Sequence, residues 1–432
     1  VNHHQDSQQD AHLACPEYRA LSRRGFLTFT GLNFAAMGLP AWMPEVQLAG
    51  SQDSSRDIII SVFLRGGADG LTLVAPFGDA NYFSVRPNIA VPAPDSRNAL
   101  RGIALDNFFM LPPGLAALEP VYRAGHLLPV HATGQMYTKS RSHFEAERYL
   151  EAGKPDDYLL ATGWLARHLA TSAPAKSGAP LRGVSLSWGG LRHTLIGAPN
   201  SLPISDPQSF GMSYNPEPSV LDTLYAGAWA PLRATAQTAM KTVELLQSID
   251  FRGYRPANGA RYPETQFGRS FRSLAAMIKA DIGLEVGHVD IGGWDTHAQQ
   301  GSVDGGMHTQ MRELGDSLGA FWSDVMQGAV RYRVTVVVVS EFGRNVRENG
   351  SKGTDHGRGG VFFLMGQNIR GGRVLATWPG LAREELEDGQ DLRVTIDYRD
   401  LLAEVVRRRL NNSNLMTIFP EYAPVERGVT VP

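Results

Sequence analysis

The chain predicts an α/β fold in which a largely parallel central sheet is flanked by helices. Two observations carry that reading. From Asp57 onward, short apolar runs alternate with amphipathic helical stretches, a pattern that neither an all-β nor an all-α chain shows. Four of the runs, Ile58–Leu64, Leu127–His131, Leu284–Ile291 and Val334–Ser340, lead straight into loops carrying carboxylates, histidines or serines. Ligands of open parallel sheets bind in the crevice beyond the carboxyl ends of the strands. Residues far apart in sequence are therefore expected to meet in one cleft.

Taken from the N-terminus, residues 1–50 read as a leader. Ser22-Arg23-Arg24-Gly25-Phe26-Leu27 resembles the twin-arginine export motif, and the stretch from Gly25 to Met43 carries no charge. Thr28, Thr30, Asn33 and Pro40 keep that stretch weakly apolar. Export by the twin-arginine translocase is expected, with cleavage near Ala49–Ser51 and a periplasmic or extracellular destination. Membrane attachment is expected only if the leader stays uncleaved. The one cysteine, Cys15, falls inside the leader. Neither a disulfide framework nor a thiol nucleophile is expected in the remainder. Residues 51–432 show no composition break and read as a single domain. A net charge of −2 gives no global basic field for nucleic acid.

A helix is predicted to start at Ser142, with Ser142 and Glu145 as a capping box. Further helices are predicted over Tyr158–Ala170, Pro231–Ile249, Glu264–Ile282 and Met307–Ala329, and over Tyr398–Leu410 with Asp397 as its cap. Gly183–Ser187 and Val361–Met365 are additional strands. Gly189–Pro218, rich in Pro, Ser, Gly and Asn, reads as a long loop.

The chemistry lies at the strand ends. Asp69 follows the first strand through Gly66-Gly67, where glycines allow a sharp turn and close approach of a ligand. It could hold a divalent cation through oxygen or cap the next helix. Asp295 and His297 cannot share one helical face, but a loop can wrap both around one ion; Asp295 as a helix cap is the alternative. Glu341 directly follows a strand with five valines, where a charge needs a partner, either a metal or Arg344. Asp355-His356, set between glycines, adds another carboxylate and imidazole, with a solvated turn as the alternative. His308 reads rather as a helix residue.

Ser142 is the nucleophile candidate, because exposed N–H groups at a helix start favour an anion. Ser140 and Thr138 are its rivals. Arg65, Arg141, Arg344 and Arg358 flank the same motifs and could bind ester oxygens bidentately. No Gly-x-Ser-x-Gly elbow and no Gly-x-x-x-x-Gly-Lys-Ser/Thr loop is present, which argues against a lipase-type triad and a P-loop ATPase.

Together, Phe63–Leu71, Arg86-Pro87, Arg141–Glu145, Gly293–His297, Ser340–Arg344 and Gly353–Gly357 resemble the DUF1501 family of exported bacterial proteins. The resemblance covers most of residues 20–432. That family is grouped with the alkaline phosphatase and sulfatase superfamily. The resemblance implies an alkaline-phosphatase-like fold and metal-dependent hydrolysis of phosphate or sulfate esters. The expected site has Ser142 as nucleophile with Arg141 and Arg344 beside it. Around a divalent metal it has Asp69, Asp295, His297, Glu341, Asp355 and His356. Imidazoles with carboxylates suit Zn, Mn or Fe better than Ca. Where the superfamily has an Asp-His pair, this chain has Glu341-Phe342, and it lacks the Cys/Ser-x-Pro-x-Arg signature of formylglycine sulfatases. The other function open to such a fold is non-hydrolytic binding of an anionic envelope or extracellular ligand.

Overall fold

The computed structural model describes residues 57–187, 189–207, 227, 229–327 and 332–431. The expected leader with Cys15, and the second part of the expected long loop, lie outside the described residues. The strands are β1 (Ile58–Leu64), β2 (Ile103–Ala104), β3 (Met110–Leu111), β4 (Leu127–Gly134), β5 (Gly183–Ser185), β6 (Ser201–Pro203), β7 (Val286–Ile291), β8 (Val334–Ser340), β9 (Gly360–Met365) and β10 (Ile396–Asp397). The longer helices are α1 (His143–Ala152), α2 (Trp164–Ala170), α3 (Ala230–Gln247), α4 (Gln266–Lys279), α5 (Gly305–Phe321) and α6 (Tyr398–Arg408).

Eight strands make one sheet in the order β10-β4-β9-β8-β1-β7-β5-β6, and β2 and β3 form a separate ribbon. Among these eight, only β9 runs antiparallel to its neighbours, β8 and β4. The other pairings are parallel. The carboxyl ends of β1, β4, β7 and β8 therefore open on the same edge. The predicted class, α/β with a largely parallel sheet flanked by helices, is the observed one.

The two faces follow the two-residue period of a strand. Ile60, Val62, Leu64, Val336 and Val338 share one buried cluster with Phe271 and Leu274 of α4 and Met311, Leu314 and Leu318 of α5. Ile59, Phe63, Val337 and Val339 share the other with Leu150 of α1, Leu165 and Leu169 of α2, and Leu402, Val405 and Val406 of α6. Burying each such aliphatic side chain stabilises the fold by roughly 1.5–3 kcal/mol, so the valine-rich β8 anchors both layers.

Several local expectations are corrected. The helix expected from Tyr158 begins only at Trp164, because the Asp157 carboxylate accepts the N–H groups of Leu159 and Leu160 and folds that stretch into a turn. The described part of the expected long loop contains β6, a three-residue edge strand, and a single 3-10 turn at His193–Leu195. After Phe321, α5 gives way to a wider π turn, Trp322–Met326. The capping box is absent. Ser142 is the N-cap residue of α1 but makes no side-chain cap bond, and Glu145 instead accepts from Ser140 Oγ at 2.8 Å. Asp397 does cap α6, accepting from the Arg399 N–H. No helix among the described residues is long and apolar enough to cross a membrane.

Candidate metal centre

Loops from separate strand ends meet at Asp295. The chain leaving β1 turns through Gly66, whose φ is +119° and where a Cβ would lie 2.5 Å from the Asp295 backbone nitrogen. Only glycine lets these two loops touch. β4 itself carries a bulge at Ala132, with φ +52°, and the chain beyond it leads to α1. α1 presents His143 in its first turn. The chain leaving β8 carries Glu341, Phe342 and Arg344, then turns back to deliver Asp355 and His356.

Asp295 Oδ1 is the focus of this edge. It lies 3.0 Å from His297 Nε2, 3.2 Å from His356 Nε2 and 3.6 Å from His143 Nε2. Arg344 Nη2 donates to the same oxygen at 2.6 Å. His143, Asp295 and His356 bring ligand-type atoms within 4.8 Å of one another, a group that could hold a metal ion. His297 Nε2 stands 3.0 Å from His356 Nε2.

The other nitrogen of each ring is already engaged. His143 Nδ1 lies 2.7 Å from Glu341 Oε1, His297 Nδ1 2.9 Å from Asp355 Oδ1, and His356 Nδ1 2.8 Å from the Arg141 carbonyl oxygen. An ionised carboxylate and a carbonyl can only accept. Each neutral ring therefore carries its proton on Nδ1 and turns a lone pair on Nε2 toward Asp295. Three lone pairs and a carboxylate oxygen repel one another; the Arg344 guanidinium offsets this at Asp295, and a cation among the ring nitrogens would offset it further. Imidazole backed by a carboxylate or carbonyl is also how histidine ligates divalent metals. The nitrogen and oxygen donors fit Zn, Mn or Fe.

Protons answer the same repulsion. Burial disfavours a charged His143, yet its hydrogen bonds to Asp295 and Glu341, and their charges, raise it to about 9. The Asp295 hydrogen bond raises His297 against its burial, with Asp355 adding to the effect. Burial works against ionisation of Asp295, but the three imidazoles and the Arg344 charge hold it well below the usual carboxylate range.

The remaining expected residues take other places. Asp69 is buried and pairs with Arg86, whose Nη2 donates to Oδ1 at 3.0 Å. Its Oδ2 accepts from Thr72 Oγ1 at 2.7 Å and Gln300 Nε2 at 2.8 Å, and its side chain caps the short helical turn Gly70–Leu73. Asp69 thus takes the cap role that was its alternative reading. Gln300 Oε1 accepts from Thr296 and Thr354, which ties the Asp295–His297 loop to the Asp355–His356 loop. Glu341 stands behind His143, and Asp355 stands behind His297.

Arg344 is fully buried. It donates to Asp295 and to the carbonyls of Gly66, Gly67, Trp294 and Thr354, so its donors face protein rather than an ester. Arg65 is clamped by Glu147, Glu151 and Asp290, and Arg358 by Glu387 and the carbonyls of Gln135, Met136 and Thr138. Arg141 differs: its side chain is 39% exposed and pairs with Asp391 at 2.5 Å. Ser142 is half-buried, and its hydroxyl is not used as a cap.

Sequence reasoning does not single out His143, which reads as an ordinary first-turn residue. The signal available was its place directly after Ser142 in a loop already rich in chemistry. His308 lies on α5, as expected. A cavity of about 620 Å³ beside Lys176, Leu245, Tyr254 and Lys279 shares no lining residue with the Asp295 cluster.

The family model DUF1501, described as a protein of unknown function, matches residues 135–419, and the chain belongs to that family. No curated protein matches the chain at a significant level. Among solved structures it is similar to a Vibrio parahaemolyticus protein in the alkaline phosphatase superfamily, at 9% identity over 81% of this chain and 70% of that one, with a TM-score of 0.32. It is also similar to the lipoteichoic acid synthase LtaP from Listeria monocytogenes, at 10% identity over 78% and 71%, with a TM-score of 0.31. A third similar structure is the C-terminal periplasmic domain of EcEptC from Escherichia coli in complex with Zn, at 12% identity over 73% and 75%, with a TM-score of 0.28.

Proposed function

We propose that this DUF1501 protein is an exported, metal-dependent hydrolase of phosphate or sulfate esters whose ion is held by His143, Asp295, His297 and His356. One observation carries the reading: three Nε2 atoms converge on Asp295 Oδ1 while each Nδ1 is held by an acceptor. A bound divalent ion would supply charge neutralisation at the ester oxygens and lower the pKa of an attacking hydroxyl.

The chain's own residues supply the rest. Ser142 is the N-cap residue immediately before His143, so its backbone adjoins the cluster. There it is the nucleophile of this reading, with a hydroxyl that helix capping leaves uncommitted. Arg141, partly exposed and paired with the buried Asp391, is on this reading the arginine able to turn toward a substrate oxygen. Arg344 holds Asp295 in place rather than touching substrate. Asp69 acts through Arg86 and Gln300 on the loops that carry the ligands. Passage through the twin-arginine translocase to the periplasm or beyond belongs to the same reading. Replacing Arg23 and Arg24 with Lys should retain the precursor in the cytoplasm, measured by cell fractionation.

The central test is metal analysis of protein purified without chelators, followed by hydrolysis of a phosphate- and sulfate-ester panel. About one divalent ion per chain is expected, with turnover that chelation removes and Zn²⁺ or Mn²⁺ restores. Ser142→Ala should keep the ion and lose turnover. A folded, active Ser142→Ala protein would move the nucleophile to Thr138, Ser140 or water. Bound metal without turnover of either ester class would favour a binding protein, and absence of metal would sink the reading.

A further inference from the structure

We infer that Glu341 is a positioning residue behind the ion, not one of its ligands: it fixes His143 in the tautomer that offers Nε2 to the cluster. This inference rests on the metal reading above. The carboxylate oxygen of Glu341 that faces the cluster is already committed. Oε1 accepts from the Gly66 N–H at 2.8 Å and faces His143 Nδ1 at 2.7 Å, while Oε2 lies 3.0 Å from Ser340 Oγ, whose single proton also faces the Leu64 carbonyl at 2.8 Å. The residue is only 1% exposed. Its place cannot drift, because it follows the last residue of β8 and its main-chain partner Gly66 is itself locked against Asp295.

The geometry of the neighbours agrees. The rings of His143 and His356 each lie 4.9 Å from the Phe342 ring, so Phe342 closes the space beside them. A glutamate at position 341 has the reach to touch the far nitrogen of His143 from the strand end. With Nδ1–H held by that carboxylate, Nε2 can present only its lone pair. An outer carboxylate of this kind orients the ring and raises its basicity as a ligand. Asp355 stands to His297 as Glu341 stands to His143, but Asp355 is largely exposed where Glu341 is sealed. The sealed pair is therefore the stronger constraint.

The test uses Co²⁺ and Zn²⁺ binding by the full chain, with chelator competition for affinity and the visible spectrum of the Co²⁺ form for coordination. Glu341→Ala should weaken metal binding roughly 10–100-fold, the usual effect of losing an outer partner. Glu341→Gln keeps an acceptor toward His143 and Gly66, and should rescue most of that loss. Its Co²⁺ spectrum should match the wild type in band position and intensity, whereas His143→Ala should change both. If Glu341→Ala does not fold, Glu341→Asp withdraws the carboxylate by one methylene and should show the weakened affinity instead. Wild-type affinity in the Ala or Asp variant would overturn the inference. So would a Glu341→Gln protein whose Co²⁺ spectrum changes as His143→Ala does, since Glu341 would then be a ligand. Failure of the metal reading is distinguishable, because the wild type itself would take up neither ion.

Discussion

His131 and the Asp295 histidines are built from the same side chain and do opposite things. His131 is fully buried in β4, where Nε2 lies 3.0 Å from the Val74 carbonyl and Nδ1 accepts the Ala132 N–H at 2.8 Å. One nitrogen meets an acceptor and the other a donor, so the neutral ring is complete. Phe109 and Trp378 pack on it, and burial pushes its pKa down to about 4. In His143, His297 and His356 the first nitrogen meets an acceptor, and the second meets Asp295 Oδ1, another acceptor. The neutral ring has no donor for that second contact. Burial alone does not separate a core histidine from a ligand. The chemical sign of what faces the second nitrogen does.

The largest expected effect breaks or keeps that distinction directly. Asp295→Asn and His356→Ala should each weaken Zn²⁺ binding by roughly 100-fold or more, since on the proposed reading each removes a ligand rather than an outer partner. His131→Asn should leave affinity within about 3-fold, because the ring is satisfied by its own surroundings. Chelator competition measures both. Equal losses in the two sets would mean that His131 is part of the same device.

Stability should separate them in the reverse order. His131→Ala strands the Val74 carbonyl and the Ala132 N–H and opens space beside Phe109 and Trp378. A cost of roughly 2–4 kcal/mol is expected in urea unfolding. His297→Ala in metal-free protein removes one member of a self-repelling cluster at a partly exposed position. Its cost should stay within about 1 kcal/mol.

The pH dependence of the metal-free protein sharpens the contrast, because the two shifts have opposite signs. The folded pKa of His131, about 4, lies below its ordinary value of 6.5. Its contribution is present above pH 6.5 and lost as pH falls toward 4, because the unfolded state binds the proton first. His143 is raised from 6.5 to about 9. Its contribution is present below pH 6.5 and lost as pH rises toward 9. Each should be worth on the order of 1–3 kcal/mol at its favourable end. Melting curves of chelator-treated protein should show His131→Gln flattening the acid limb and His143→Gln the alkaline limb. A shared limb would show that the two environments are not opposites.

How much of this could be read beforehand depends on whether the determining contacts are local. β1 and β8 appear where the apolar runs predicted them, with identical bounds, because a strand buried on both faces needs a nearly continuous apolar run. The start of α2 was misread because the Asp157 carboxylate competes for backbone N–H groups that a helical period alone assigns to a helix. β6 is too short, and ends in a proline, to show a period. At the site, Asp295, His297 and His356 were legible as polar residues in glycine-rich turns at strand ends. The role of His143 was not, because it depends on Glu341 and Asp295, which reach it from two other strand ends. Asp69 carries the same residue type in the same kind of turn as Asp295. What separates them is Arg86 and Gln300, partners visible only in three dimensions.

The smallest expected effect carries the same comparison over to hydroxyl groups. Thr265 is the N-cap of α4, and its side chain accepts the Gly268 N–H at 3.1 Å. Ser142 is the N-cap residue of α1, yet its side chain makes no cap bond, while its own N–H donates to Ser140 Oγ at 3.2 Å. Thr265→Ala should therefore cost about 1 kcal/mol, the usual value of a working cap. Ser142→Ala should change stability by no more than about 0.5 kcal/mol, as for a side chain on which the fold does not depend. Paired urea titrations of the two variants measure the difference. A cost for Ser142→Ala equal to that of Thr265→Ala would place the Ser142 hydroxyl on the helix rather than at the edge of the cluster. Loss of turnover in that variant could then no longer be read as loss of a nucleophile.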